Sequence, residues 1–338
     1  MRNRREMLRL AGLAGAGLLL GDKAGAESVA FQKKISLYIG YTPGGSYDLY
    51  GRLVARHLGR FLPGQPTVVP QNMPGAGSLN AANYVYNIAP KDGTALGVVV
   101  ETLALEQNLG NPAVQYDARK FTWIGRVASS NNVQLVWHTS KVQTIEDAKH
   151  VEAAMAGSPG NIGELVPRLL NSVVGTKFKV IAGYPASAEG MLAMERGEVD
   201  GTTTSWAALK STKQDWLREK KIRIILQDLP ERSAELPDVP CLVELGQNPA
   251  DRELLSLYAS GGVVGRSVLA PPGLPAEVTR ALREGLMAMT KDPAFTADLS
   301  KANVDMDPLT GEQLERVVSE SLHISENVRQ WANTLLRR

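Results

Sequence analysis

The chain of 338 residues holds a single cysteine, Cys241. No intramolecular disulfide can form, so stability must come from a packed core. Histidine is scarce too: His57, His138, His150 and His323 show no HExxH pattern and no metal-ligand spacing. No GxSxG nucleophile elbow is present, and no GxxxxGK[ST] phosphate loop; GxGxxG does not occur beyond residue 34. There is no internal repeat, no charge block and no low-complexity stretch. These absences remove the usual signatures of zinc, nucleotide and serine-hydrolase chemistry. A glycosidase-type carboxylate pair stays open, although nothing singles one out.

A basic excess is also missing once the N-terminus is set aside. Arg2, Arg4, Arg5 and Arg9 precede the apolar run LAGLAGAGLLL (10–20), and Ala24-Gly25-Ala26 follows as a small-residue cleavage pattern. This is the layout of an export signal, and the run is shorter than the roughly 20 apolar residues that a membrane span needs. NRREMLR resembles a twin-arginine motif, with an ordinary secretory signal as the alternative. Without residues 1–26, Lys+Arg falls from 37 to 32 and Asp+Glu from 35 to 33, so the net charge passes from +2 to −1. A nucleic acid or an anionic membrane surface is therefore not an expected partner. A periplasmic protein with its signal removed near Ala26 is. Cys241 does not follow the apolar run, which argues against a lipid anchor; in LPDVPCLVELG it reads as a small buried residue. His57 falls on the apolar side of a helical pattern and reads as core or boundary.

An apolar content of 43% and this length suggest about two domains. Strand and helix patterns alternate throughout, which predicts sheets covered by helices. Residues 35–41, 67–69 and 94–100 read as strands, with helical spacing from Leu49 to Phe61. Around 121–138 the chain leaves this unit for a second α/β set, with strands expected near 178–184 and 221–227. PERSAELPDVP (230–240) reads as a return crossing. Helices are expected after Pro275 and over 311–336, packing on the first domain or across both.

Two glycine turns carry the functional signal. YTPGGSYD (41–48) joins a strand to a helix, and Gly75-Ala76-Gly77-Ser78 repeats the arrangement after the next strand. At a helix start, unpaired N–H groups and the positive dipole end favour an anion. Gly44 and Gly45 allow close backbone approach, and Ser46 adds a hydroxyl. Two such turns at the carboxyl ends of adjacent strands would face one cleft. Asp48 would repel an anion unless its oxygens are occupied, so it is expected to accept from loop N–H groups or from Ser78. The alternative is a helix-start acid that only favours the dipole. In the second unit, Ser158, Gly160, Asn161 and Tyr184 are candidate donors after strands. GTTTSW (201–206) offers alternating hydroxyls, as ligand wall or as a plain Thr-rich strand.

The ordered set YTPGGSYDLYGRLVARHL, VVPQNMPGAGSLNAANYV, APKDGTALGV, GYPASAEGMLAMERGEVDG, LPDVPCLVELG and APPGLPAEVTRAL resembles the tripartite tricarboxylate transporter receptors, or Bug-type solute-binding proteins, across about residues 35–315. That resemblance implies a two-domain α/β periplasmic binding protein (a Venus flytrap) with a ligand cleft between the domains. The export signal is residues 1–26, with 27–125 as the first part of domain 1 and 126–240 as domain 2. Residues 241–338 cross back to domain 1 and end in helices. The resemblance implies that Pro43, Gly44, Gly45, Ser46, Asp48, Ala76, Gly77 and Ser78 hold a ligand carboxylate. Ser158, Gly160, Asn161, Tyr184, Thr204 and Ser205 would face the rest of the ligand. No catalytic residue, metal or cofactor is implied. The expected partners are a small organic acid and the membrane subunits of an importer, with the receptor itself a monomer; a receptor signalling to a sensor kinase is the first alternative, and a periplasmic enzyme acting on a carboxylate the second. The family often carries Asp-Asn where Thr204-Ser205 stand. That loss disfavours an amino acid and points to a di- or tricarboxylate or an aromatic acid.

Overall fold

The computed structural model describes residue 31 and residues 34–157, 162–184 and 187–336. The candidates Ser158, Gly160 and Asn161 lie outside the described residues. Eleven strands form two sheets among the described residues. They are β1 (Lys34–Ile39), β2 (Thr67–Asn72), β3 (Ala95–Val98), β4 (Thr122–Ala128), β5 (Asn132–Trp137), β6 (Ala153–Gly157), β7 (Phe178–Ala182), β8 (Gly201–Ser205), β9 (Ile222–Gln227), β10 (Arg266–Ala270) and β11 (Leu309–Thr310). The first sheet runs β11-β4-β10-β3-β1-β2 and the second β7-β6-β8-β5-β9. In the first, β1 pairs in parallel with β2 and β3, while β10 lies antiparallel between β3 and β4.

The helices are α1 (Ser46–Leu58), α2 (Leu79–Asn87), α3 (Leu103–Asn108), α4 (Asp147–His150), α5 (Ile162–Val173), α6 (Ser187–Glu195), α7 (Trp206–Thr212), α8 (Gln214–Arg218), α9 (Pro249–Val264), α10 (Ala276–Met289), α11 (Pro293–Lys301), α12 (Gly311–Leu322) and α13 (Glu326–Leu336). They cover both faces of both sheets, as strand alternation requires. On the first sheet, Ile124 and Val268 pack with α1, α10 and α11, while their chain neighbours Trp123 and Leu269 pack with α2 and α12. On the second, Val136 and Met155 pack with α5 and α9, while Leu135 and Ala156 pack with α6, α7 and α8. His57 and Cys241 are both buried, as their sequence settings suggested.

Some elements differ from the pattern reading. Helix α9 is absent from it because PADRELLSLYASGGVV is apolar nearly all round and carries Gly261-Gly262, which blurs the helical period. Strand β10 is absent because all five of its residues are buried, so it shows no alternation. The final pattern over 311–336 is two helices, broken at His323. Helix α13 packs against α5 and α9.

The chain passes between the sheets at Ser129–Asn131, from β4 to β5, and returns between β9 and β10. The space between the sheets is therefore floored by these crossings. At the end of β1, Gly40 lies against the second glycine turn: a Cβ on it would stand 1.8 Å from Ser78 Oγ and 2.7 Å from Ser78 Cβ. Gly40→Ala should therefore lower stability by about 2 kcal/mol, the ordinary cost of overpacking. Thermal unfolding should show the double variant Gly40→Ala/Ser78→Gly losing less than Gly40→Ala alone. Equal losses would mean that the clash lies elsewhere.

Candidate functional site: an anion-facing cleft between the sheets

The cleft has a volume of about 460 Å³. Its first-sheet wall is the turn Gly44-Gly45-Ser46 with Leu49 and Tyr50 of α1. The crossing Ser129–Asn131 and Leu229 form the floor, and Ser205 and Trp206 lie on the second-sheet side. Residues 302 and 304–307, ahead of β11, complete the rim.

The first turn has the geometry its sequence suggested. Gly44 adopts φ +96°, which glycine alone takes readily, and Gly45 precedes α1 in extended conformation with no side-chain cap. The first-turn N–H groups of α1 thus have no intrahelical partner. Asp48 does not point its charge at this space. It is buried, and it accepts from the Gly44 N–H at 3.0 Å, from Arg52 Nε at 2.9 Å and from Asn72 Nδ2 at 2.8 Å. Burial alone would raise its pKa, but the bonds from Arg52, Asn72 and Gly44 outweigh it and pull the carboxyl down to about 2. The loop N–H expected as a donor is Gly44; Ser78 is not one.

The second turn is arranged differently from the first. Gly75, Ala76, Gly77 and Ser78 all have positive φ, a tight left-handed path. Ala76 and Gly77 are exposed, and neither belongs to the cleft lining. Ser78 is buried, and its Oγ accepts from the Val100 N–H at 3.1 Å. It braces the turn. Pro43 is exposed at the first turn, outside the lining.

Of the second-sheet candidates among the described residues, Ser205 lines the cleft, and its Oγ caps α7 by accepting from the Ala208 N–H at 3.2 Å. Thr204 is buried on β8 with its Oγ1 unpartnered. Tyr184 packs against the cluster that includes Met191, Met194 and Trp216 and is not in the lining.

Arg266 is a cleft residue that the motifs do not single out. It opens β10, is buried, and lines the cleft. One guanidinium nitrogen pairs with Glu101, another donates to Ser46 Oγ at 3.0 Å, and the group lies 4.0 Å over the Tyr47 ring. Tyr47 also donates to Glu101 Oε2 at 2.7 Å and stacks on Tyr41 at 4.4 Å. Burial works against the arginine's charge, but Tyr47 and Glu101 outweigh it and hold the pKa above its usual value. The arginine Nε is buried without a partner. The available signal was a lone arginine inside the otherwise apolar run VVGRSVLA, which must be paired if buried.

A second charged group stands at the rim. Lys210 of α7 binds Glu235 at 2.7 Å and Asp305 at 2.6 Å. Asp305 belongs to the segment that leads back to β11 on the first sheet, and its carbonyl accepts from Tyr50 at 2.7 Å. Trp206 Nε1 donates to the same Glu235 oxygen at 2.7 Å. Among the described residues, no group of three His, Cys, Asp or Glu is placed to hold a metal ion.

A family model described as the tripartite tricarboxylate transporter family receptor matches residues 51–333. The chain belongs to that family. A UPF0065 protein of Cupriavidus necator is 27% identical over 335 residues, covering 94% of each chain. Among solved structures, a TctC solute-binding protein from Polaromonas aligns with a TM-score of 0.66 at 18% identity, covering 90% of this chain and 98% of that one. A Rhodopseudomonas palustris protein with adipate aligns at 0.63 and 22% identity, over 88% and 97% of the two chains. Another from the same organism, with bound malate, aligns at 0.60 and 18%, over 90% and 98%. These likenesses carry the fold, which is the two-sheet architecture of periplasmic solute-binding receptors. Among the described residues, no helix is long and apolar enough to cross a membrane.

The depressed Asp48 carboxyl has a pH consequence. Its stabilising contribution is present above the unfolded value of 3.8 and is lost as pH falls toward about 2. Asp48→Asn should therefore cost on the order of 1–2 kcal/mol at pH 7 and little at pH 2. Denaturant midpoints across pH 2–7 read this directly. A cost independent of pH would show that the charge is not what holds the turn.

Proposed function

We propose that this family receptor captures a small organic carboxylate in the cleft and delivers it, in the periplasm, to the membrane subunits of a tripartite tricarboxylate-type importer. One observation carries the reading. The uncapped first turn of α1 opens onto the cleft beside Arg266, whose Nε is buried and unpaired. Backbone N–H groups, the dipole end and a guanidinium edge suit one carboxylate. Gly44, Gly45, Ser46 and Arg266 are the residues assigned to hold it. Structural neighbours solved with malate and adipate agree with an acid ligand.

The two lobes would close on the ligand, and Lys210–Asp305 supplies a contact between them that an open form would lose. The protein works as a monomer in this reading, and it is a binder rather than a catalyst. Among the described residues that line the cleft there is no histidine, cysteine or lysine to stand beside the serine hydroxyls.

Gly45→Val tests the assignment. A Cβ at Gly45 meets nothing within 4 Å, and its φ of −85° suits valine, so folding should survive with a loss of at most about 1 kcal/mol at the helix start. Affinity for a bound acid should fall at least about tenfold, because the side chain enters the carboxylate position. Calorimetry on an acid found by thermal shift supplies the readout; at 100 times its Kd the acid should stabilise the protein by about 2.7 kcal/mol. Unchanged affinity in the folded variant would refute the first-turn assignment.

A further inference from the structure

Each of the three cations around the cleft already has a carboxylate partner. Arg266 pairs with Glu101, Lys210 is held between Glu235 and Asp305, and Arg126 donates to Asp307 at 2.6 Å. That makes three cations for four carboxylates, and Glu235, Asp305 and Asp307 line the cleft themselves. Residues 158–161 and 185–186 are Ser-Pro-Gly-Asn and Pro-Ala, so they bring no charge. The turn of α1 with Arg266 Nε provides for one ligand carboxylate. Among the described residues no unmatched cation lines the cleft to receive a second, which would enter among the protein's own carboxylates, a costly placement.

The floor of the cleft asks for something else. Gln227 donates its Nε2 to the carbonyls of Leu236 at 2.9 Å and Val239 at 2.8 Å. This fixes its Oε1 as the atom that accepts from the Ser233 N–H and from Asn131 Nδ2, each at 3.2 Å. The Asn131 amide is thereby oriented, nitrogen toward Gln227. Its Oδ1 is left buried and without a partner, and Asn131 lines the cleft. A buried carbonyl oxygen needs a donor. A carboxylate cannot supply one, but a ligand hydroxyl can.

We infer that the ligand is a hydroxylated monocarboxylate, with its acid group at the α1 turn and a hydroxyl donated to Asn131 Oδ1. This rests on the carboxylate-receptor reading and narrows it. It also departs from the di- or tricarboxylate, or aromatic acid, to which the departure from the family at Thr204-Ser205 points. Asn131 is then a specificity-determining residue.

Matched acids test it on the unmodified protein by calorimetry: 3-hydroxybutyrate against butyrate, gluconate against hexanoate, and malate and adipate as dicarboxylates. The expected result is that the hydroxylated member of at least one monocarboxylate pair binds about tenfold or more tighter than its deoxy partner, and tighter than either dicarboxylate. Asn131→Leu, with its unliganded melting temperature as a fold check, should bring that ratio close to one while changing the deoxy acid's affinity little. A dicarboxylate that binds as tightly, or a wild-type ratio near one, would overturn the inference and leave the receptor reading standing. An Asn131→Leu variant that weakens both members equally would do the same. Silence from every acid would instead sink the receptor reading itself.

Discussion

The cleft depends on one buried ion pair, Arg266 with Glu101. Arg266 starts the antiparallel strand β10 and Glu101 follows the parallel strand β3, so the pair ties two strands of the first sheet at the edge where ligand would enter. Tyr47 and Ser46 bring the start of α1 to the same point, and Asn132 of β5 reaches Glu101 at 3.3 Å from the second sheet. A buried charge pair stabilises little against apolar replacement, but breaking it strands a charge at a cost of roughly 3–5 kcal/mol. Its value here is positional. It fixes the helix start, holds the guanidinium in the cleft wall, and joins the two sheets through a single carboxylate.

Around that point the electrostatics are arranged by subtraction. Asp48, which would repel an anion, is consumed by Gly44, Arg52 and Asn72 and becomes a brace for the turn. Lys210, which would attract one, is consumed by Glu235 and Asp305. What the proposed site then uses is a set of weak, directional groups: backbone N–H groups, one arginine edge, hydroxyls and the Asn131 carbonyl. Such a set selects by hydrogen-bond geometry more than by net charge. The Lys210–Asp305 contact also couples the two lobes through side chains near the protein surface, where an ion pair is weak enough to open and close.

Much of this was legible before any coordinates. The turn at Gly44-Gly45-Ser46 announces itself because small residues between an alternating run and a helical run have few structural explanations. The family followed from the order of several such pieces. The second turn differs from the first for a physical reason: Gly75 to Ser78 has a similar small-residue composition, but four successive positive-φ residues give it another path and turn Ser78 inward to the Val100 N–H. Composition specifies which backbone angles are permitted, not which way the loop then faces.

The sequence by itself determined the alternation of strands and helices, the glycine turn that opens α1, and the receptor family, because each is written in local spacing or in ordered short motifs. The tertiary structure decided the rest. Arg266 and Glu101 are separated by 165 positions and meet only because β10 inserts between β3 and β4. Asn131 gains an oriented carbonyl only because Gln227, 96 positions away, is itself locked by two backbone oxygens. Pairings over such distances leave no periodicity to read, so the direction and charge state of the cleft belong to the fold.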